Sequence, residues 1–286
     1  MGEFKAFDVR SIGASHIKTG KSCQDYSFSS YGEKYAVAIV CDGHGGDKYI
    51  RSEIGSKLAT DICSEAIKSL FGKRIDNQTA MAKFQPNAKG TLQQLASFII
   101  FKWREAIGKD FADHPFNVAE FEHLSDKDKA ALSSSDGWVS AYGTTLIAIV
   151  RTSDFWFGLH IGDGKCVVVS EKDEYLQPIP WDDKCFLNAT TSLCDEKALE
   201  RFRFFFSTEN LPKAIFVASD GVDDTFGTDE ALHGFYKSVM QLFMEKPFNE
   251  AKSELQTFLP VLSAKGSQDD ISIAAIISTK DLKVNK

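Results

Sequence analysis

Apolar residues recur every three or four positions along two long stretches of the chain, which predicts two amphipathic helices. The first prediction covers residues 47–71, where one face carries Ile54, Leu58, Ile62, Ala66 and Leu70. The second begins at Thr91, its predicted N-cap, and its apolar face carries Leu92, Leu95, Ile99, Trp103 and Ile107. Shorter helices are predicted near 126–132, at 229–244 and at 248–262.

Short apolar runs rich in β-branched residues predict strands elsewhere. They lie at 35–42, 146–150, 155–161, 166–170, 214–218 and 271–277, and residues 4–31 are expected to form short strands around a loop at 15–25. The turn Gly162–Lys165 between two of these runs predicts a β-hairpin. Residues 171–213 show no clear period, and residues 280–286 are expected to be a frayed tail. Without a repeat or linker, residues 1–286 are expected to form one domain.

Composition and charge narrow the class of protein. The chain has 286 residues, 43% of them hydrophobic, and a formal net charge of -7. This acidic balance argues against a general nucleic-acid surface and suits a protein that gathers acidic groups around cations. Six cysteines without a CxxC pair predict reduced thiols in a cytoplasmic protein. We expect no signal peptide, myristoylation or membrane-spanning segment.

Carboxylates occur at five predicted strand ends and turns, namely at Asp25, Asp42, Asp163, Asp220 and Asp269. Taken alone, each is better explained by ordinary turn chemistry than by metal binding. Together they would repel one another and resist burial unless a cation lay among them. Ligands that are all oxygen favour Mg²⁺, Mn²⁺ or Ca²⁺ over zinc. A carboxylate shared by two ions roughly 4 Å apart would suit hydrolysis of a phosphate ester.

The sequences of these turns and their order along the chain resemble those of the metal-dependent protein phosphatases of the PPM, or type 2C, family. The resemblance is to a divergent and mostly bacterial branch of that family. The matching segments are Cys41–Gly46, Gly143–Thr145, Gly162–Gly164, Ala218–Asp224 and Asp269–Ser272. The resemblance implies an α+β fold, a four-layer α-β-β-α sandwich of two antiparallel sheets flanked by helices. It also implies two Mn²⁺ or Mg²⁺ ions, with a weaker third site.

The resemblance assigns roles to the same residues. It implies that Asp42 bridges two ions, that the Gly43 carbonyl ligates one of them, and that Asp220 and Asp269 complete the other shell. Asp163 matches the position tied to the third ion. The same comparison implies that Asp25 holds metal-bound water and that His44 is the general acid.

The activity implied by the resemblance is serine/threonine phosphomonoester hydrolysis by a hydroxide that bridges the metals. A phosphorylated protein is then the expected substrate, with no nucleic-acid or membrane partner. We expect a cytoplasmic monomer that acts in signalling. A two-metal phosphodiesterase or nuclease is disfavoured because the composition lacks a basic surface.

Two departures from the family pattern affect the residues expected to bind the substrate's phosphate group. Gly20 stands where the family usually has a phosphate-binding Arg, and Lys21 and His16 are the candidate replacements. Gln24 stands in place of a Glu, whereas Asp270 in place of the usual Asn is interpreted as a minor change. These departures motivate an alternative function, a weak or silent phosphatase-fold module that binds a phosphorylated partner. Residues 171–213 fall where the family has its variable flap.

Overall fold

A computed structural model describes residues 3–72, 77–186 and 189–282. Within these ranges the strands form two five-stranded antiparallel sheets. The first sheet contains β1 (Phe4–Ser11), β6 (Lys165–Val169), β7 (Tyr175–Leu176), β9 (Ala214–Ala218) and β10 (Ile271–Ser278). The second contains β2 (Tyr26–Tyr31), β3 (Tyr35–Cys41), β4 (Leu146–Thr152), β5 (Trp156–Ile161) and β8 (Arg203–Ser207). The strand orders are β1-β10-β9-β6-β7 and β2-β3-β4-β5-β8.

Helices cover the outer face of each sheet. Those before β4 are α1 (Ala14–Thr19), α2 (Ser52–Phe71), α3 (Asn77–Phe84), α4 (Ala88–Asp113), α5 (Val118–Phe121) and α6 (Asp126–Leu132). The later ones are α7 (Ala198–Arg201), α8 (Asp220–Asp223), α9 (Asp229–Glu245) and α10 (Phe248–Lys265). Short 3-10 helices occupy Gly137–Tyr142 and Thr279–Asp281. The predicted four-layer α-β-β-α fold is confirmed.

The central strands are apolar on both faces because both faces are buried. Side chains such as Ala38, Ile149 and Ala274 pack between the two sheets. The opposite face of the second sheet packs against α2 and α4, where Trp103 is fully buried. The outer face of the first sheet packs against α9 and α10. Continuous apolar runs, rather than alternating ones, follow from this double burial.

The predicted hairpin at Gly162–Lys165 is wrong. β5 pairs with β4 and β8, whereas β6 pairs with β7 and β9, so the turn carries the chain from one sheet to the other. Gly162 has a φ of 115°, and a Cβ there would lie 2.5 Å from the side chain of Thr145. Glycine is therefore required at this crossing. Two strands buried on both faces carry no pattern that shows whether they pair with each other.

Several helix boundaries also differ from the predictions. α2 begins at Ser52 rather than at residue 47, and the predicted loop 15–25 contains the helix α1. α4 begins at Ala88, where the Asn87 side chain accepts a hydrogen bond from the Gly90 N–H at 2.8 Å. Thr91 is therefore inside the helix instead of capping it.

The segment 171–213 is more ordered than its sequence suggested. Its aromatic residues form the edge strand β8, which pairs with β5. The short elements β7 and α7 also lie in this segment. Of the tail predicted at 280–286, residues 283–286 lie outside the described residues.

Candidate metal centre

Strand register brings the predicted carboxylates to one end of the sandwich. Tyr26 pairs with Cys41, so Asp25 and Asp42 lie opposite each other at the end of the β2–β3 ladder. Leu146 pairs with Ile161, so the turn after β5, which carries Asp163, lies beside the start of β4. In the first sheet β9 ends, and β10 begins, at the same edge. In an antiparallel pair the end of one strand lies beside the start of its partner, so residues that follow one strand and precede the other come together.

Asp42 is held by the Gly143–Thr145 segment. Its backbone N–H donates to the Thr145 hydroxyl at 3.0 Å. Its carbonyl accepts from the Thr144 hydroxyl and from the Thr145 N–H, both at 2.8 Å. The segment therefore fixes the backbone that carries the carboxylate.

Gly43 lies where two other segments approach closely. A Cβ at this position would lie 2.4 Å from the Gln24 carbonyl oxygen and 2.9 Å from the Ser52 carbonyl oxygen. Because both obstacles are backbone atoms, only glycine fits between them.

Asp42 and Asp220 have their carboxyl groups within hydrogen-bond reach of each other. Burial and the charges of Asp25 and Asp220 raise the pKa of Asp42 well above its usual range. Burial, together with the charges of Asp163 and Asp269, raises the pKa of Asp220 to about 7. Clustered carboxyls with raised pKa values gain from a bound cation, since it removes their mutual repulsion.

Asp25 points into the same cluster. It is only 1% exposed, and its Oδ2 has no hydrogen-bond partner among the described residues. Burial, followed by the charge of Asp270, raises the pKa of Asp25 well above its usual range. A buried carboxylate oxygen without a partner is a position where a cation or an ordered water would satisfy it.

The other two predicted ligands lie at the edges of the cluster. Asp163 is half-buried, and the Thr190 side chain forms a hydrogen bond with it. Asp269 is more exposed than the others and comes close to His16 and Asp270. The structure thus brings together the five predicted carboxylates, and their oxygen donors fit Mn²⁺ or Mg²⁺.

His44 is buried beside this cluster, at 8% exposure. Its ring packs edge-on against Tyr49, with 4.6 Å between ring centroids, and its backbone N–H donates to the Gly143 carbonyl at 3.2 Å. Within the described part of the chain, its Nε2 atom has no hydrogen-bond partner. Burial, with a smaller effect of the Lys48 charge, lowers the pKa of His44 to about 4, so the ring is neutral at pH 7.

The two candidate phosphate-binding residues occupy different environments. Lys21 has an exposed side chain whose Nζ donates to the Gly45 carbonyl at 3.2 Å, next to His44. His16 is buried, and its Nδ1 lies 3.0 Å from Asp270 Oδ1. Gly20 ends α1 with a φ of 70°, and no described residue other than its two chain neighbours lies within 4 Å of the position of a Cβ.

The structure also assigns contacts that sequence reasoning did not. Asp223 is half-buried and forms an ion pair with Lys165 at 3.3 Å. Burial raises the pKa of Asp223 to about 7, although Lys165 acts in the opposite direction. In the flap segment, the Ser192 hydroxyl donates to the Thr144 carbonyl at 3.0 Å and accepts from the Thr144 N–H at 3.1 Å. Only the Asp223 position, three residues after Asp220, could have been suspected from the sequence.

Among the described residues, no helix is both long and apolar enough to cross a lipid bilayer.

Comparison with known proteins places this geometry in context. The sequence profile of the family described as protein phosphatase 2C matches residues 12–260. No curated protein matches the chain. A bacterial serine phosphatase of known structure is 16% identical, with 99% of both chains covered and a TM-score of 0.59.

Two further structures resemble the chain. PppA of Pseudomonas aeruginosa is 13% identical, with 97% of this chain and 98% of PppA covered and a TM-score of 0.59. The catalytic domain of the serine/threonine protein phosphatase PstP, solved with two manganese ions, is 13% identical. That match covers 96% of this chain and 97% of PstP's, with a TM-score of 0.55. At these identities, structural similarity establishes the fold alone.

Proposed function

This chain belongs to the protein phosphatase 2C family, and we propose that it is a serine/threonine protein phosphatase dependent on Mn²⁺ or Mg²⁺. The observation that supports this most is the convergence of Asp25, Asp42, Asp163, Asp220 and Asp269 at one end of the sandwich. Burial and mutual repulsion raise the pKa of Asp25, Asp42 and Asp220, and cations bound among these carboxyls would relieve that repulsion.

We propose that the Asp42 carboxylate, the Gly43 carbonyl, Asp220 and Asp269 would hold two ions. Asp163 would serve a third, weaker site. Ions bound there would supply an activated water and would offset the negative charge of a phosphate group. PstP was solved with two manganese ions, which supports Mn²⁺ as the ion to test first.

The remaining roles belong to side chains next to the cluster. The Nε2 of His44 has no partner in the part of the chain that the structure describes, and a phosphate dianion bound beside it would raise the pKa of His44 and favour the imidazolium. In that state His44 would donate a proton to the departing serine or threonine oxygen. Lys21, beside the His44 turn, would contact a phosphate oxygen as a point charge. Asp25 would orient water at the centre.

The test is hydrolysis of p-nitrophenyl phosphate and of a phosphothreonine peptide with Mn²⁺. The variants are Asp42→Asn and Asp220→Asn, with the exposed Asp154→Asn at the far end of β4 as matched control. We expect each ligand variant to lose more activity than the roughly 10–100-fold that removal of an outer-shell partner costs. The control is expected to retain wild-type activity.

If the wild type and all variants are equally inert, the enzymatic proposal is wrong. Calorimetric titration with Mn²⁺ then separates the alternatives. Tight binding of two ions without turnover would support the silent module that recognises a phosphorylated partner. Absence of Mn²⁺ binding would contradict both.

A further inference from the structure

Asp270 is the meeting point of three hydrogen bonds next to the carboxylate cluster. It is 3% exposed. Its Oδ1 accepts from the Gly13 N–H at 2.6 Å and lies 3.0 Å from His16 Nδ1. Its Oδ2 accepts from the Gln24 N–H at 2.6 Å. Both carboxylate oxygens are therefore used, and each bond reaches a segment more than 240 residues away in the sequence.

These bonds connect two of the clustered carboxylates through short lengths of backbone. Gln24 immediately precedes Asp25, and Asp270 immediately follows Asp269. At Gly13 the two segments are so close that a Cβ would lie 2.5 Å from the Asp269 carbonyl carbon. Displacing the Asp270 carboxylate would therefore move the backbone that carries Asp25 relative to the backbone that carries Asp269.

We propose that Asp270 and His16 are a positioning pair that sets the spacing of Asp25 and Asp269 and thereby the affinity of this centre for divalent cations. The inference rests on the proposed function for the identity of the centre. Neither residue of the pair needs to contact an ion. The family resemblance suggested that Asp270 was a minor replacement and that His16 was one of two candidate phosphate contacts, so the pairing gives both residues a different role.

The requirement for a carboxylate follows from the donors. A carboxylate accepts at both oxygens, whereas an asparagine amide accepts at one atom and donates at the other. In Asp270→Asn, the NH₂ group would face either the Gln24 N–H or the Gly13 N–H. One backbone donor would then lose its partner in a buried place, which costs about 1–3 kcal/mol.

His16 is held in place by α1. The Ser15 N–H and hydroxyl donate to the Gln268 carbonyl at 2.9 and 2.8 Å, and the Lys18 Nζ donates to the Gln268 side chain at 3.0 Å. The helix is thus docked on the turn before Asp269. For His16 to donate to Asp270, the proton must be on Nδ1, because a carboxylate offers acceptors only. A carboxylate that hydrogen-bonds the segments carrying the ligands can orient those ligands without contacting the ion itself.

The test is calorimetric titration of the full chain with Mn²⁺, with thermal unfolding of each ion-free variant recorded alongside. Asp270→Asn is expected to lower Mn²⁺ affinity by about tenfold or more. His16→Ala removes the donor and is expected to lower affinity in the same direction. His16→Asn keeps a donor near the Nδ1 position and is expected to stay within about threefold of wild type. The matched control is Asp173→Asn, whose exposed carboxylate pairs with Lys213.

A purely structural role would give a different result. If Asp270→Asn unfolds at a lower temperature but binds Mn²⁺ as the wild type does, the positioning proposal is wrong. If Asp270→Asn does not fold, His16→Ala and His16→Asn decide the matter, because equal affinities in that pair would overturn the proposal. If the wild type itself binds no Mn²⁺, both the proposed function and the positioning proposal are wrong. If the wild type binds Mn²⁺ and the variants bind it equally well, only the positioning proposal is wrong.

Discussion

Replacing Arg51 with methionine is expected to lower the free energy of unfolding by about 3 kcal/mol. Arg51 is 7% exposed and donates two hydrogen bonds to the Glu120 carboxylate, at 2.7 and 3.1 Å. Its Nη1 donates to the His114 carbonyl at 2.6 Å and to the Tyr142 hydroxyl at 2.8 Å. Through these bonds the start of α2 holds the chain that leads into Gly143–Thr145 and so into the candidate site.

The magnitude follows from burial. Removing one partner of a fully buried ion pair costs about 3–5 kcal/mol. The side chains of Glu120 and of the nearby Asp110 are each 22% exposed, so water reaches them after the substitution and the lower end applies. Methionine keeps the apolar stem but loses the guanidinium, whose Cζ lies 4.7 Å from the centroid of the Phe116 ring.

The same hydrogen bonds predict that the free energy of unfolding depends on pH. Burial opposes ionisation of Glu120, but its hydrogen bonds with Arg51 and with the Asn117 N–H, together with the charge of Arg51, outweigh burial and lower its pKa. The stabilisation is therefore complete above the ordinary pKa of 4.5 and is lost as pH falls through the lowered value. Urea unfolding should show the full difference between wild type and Arg51→Met at pH 7 and a smaller one near pH 3.

A control on the same helix tests whether burial is the cause. The Lys57–Asp61 ion pair is about half exposed on both sides, so Lys57→Met should change the free energy of unfolding by less than about 0.5 kcal/mol. The reasoning is refuted if Arg51→Met stays within about 1 kcal/mol of wild type at pH 7, or if the two substitutions cost the same.

Two other substitutions test neighbouring parts of the molecule. Thr145→Val removes the hydroxyl that accepts from the Asp42 N–H, and should cost about 1–2 kcal/mol in urea unfolding and weaken Mn²⁺ binding, whereas Thr145→Ser should restore both. His160 is 2% exposed, and burial lowers its pKa well below the usual value of 6.5. As pH falls below about 6.5, His160 gains a proton in the unfolded chain but stays neutral in the folded protein. The free energy of unfolding should therefore fall by up to about 1.4 kcal/mol per pH unit. His160→Gln should reduce that slope between pH 7 and 5.5; an unchanged slope would contradict the assignment.

Much of the fold is visible in the sequence because its cues are local. The runs that became β3, β4 and β10 are apolar at nearly every position, since each strand is covered on both sides. Helices α9 and α10 follow directly from their 3.6-residue period and match the predictions closely. Asp42 and Asp220 could be identified because each ends such a run beside a glycine.

The sequence did not reveal which strands pair. β5 and β6 are neighbours in the chain but belong to different sheets, because Gly162 turns the backbone through a conformation that crosses the sandwich. Helix starts were also misplaced, since Asn87 and Thr91 are both suitable caps and packing selects between them.

By itself, then, the sequence determined the apolar strands, the later helices and the carboxylates at the strand ends, because burial and turn geometry act on neighbouring residues. Tertiary structure alone decided the contacts between distant segments. Asp270 meets His16 across 254 positions, and Arg51 meets Glu120 across 69. No local pattern encodes such pairs, because each depends on how the sheets and helices pack and on which buried donors need an acceptor.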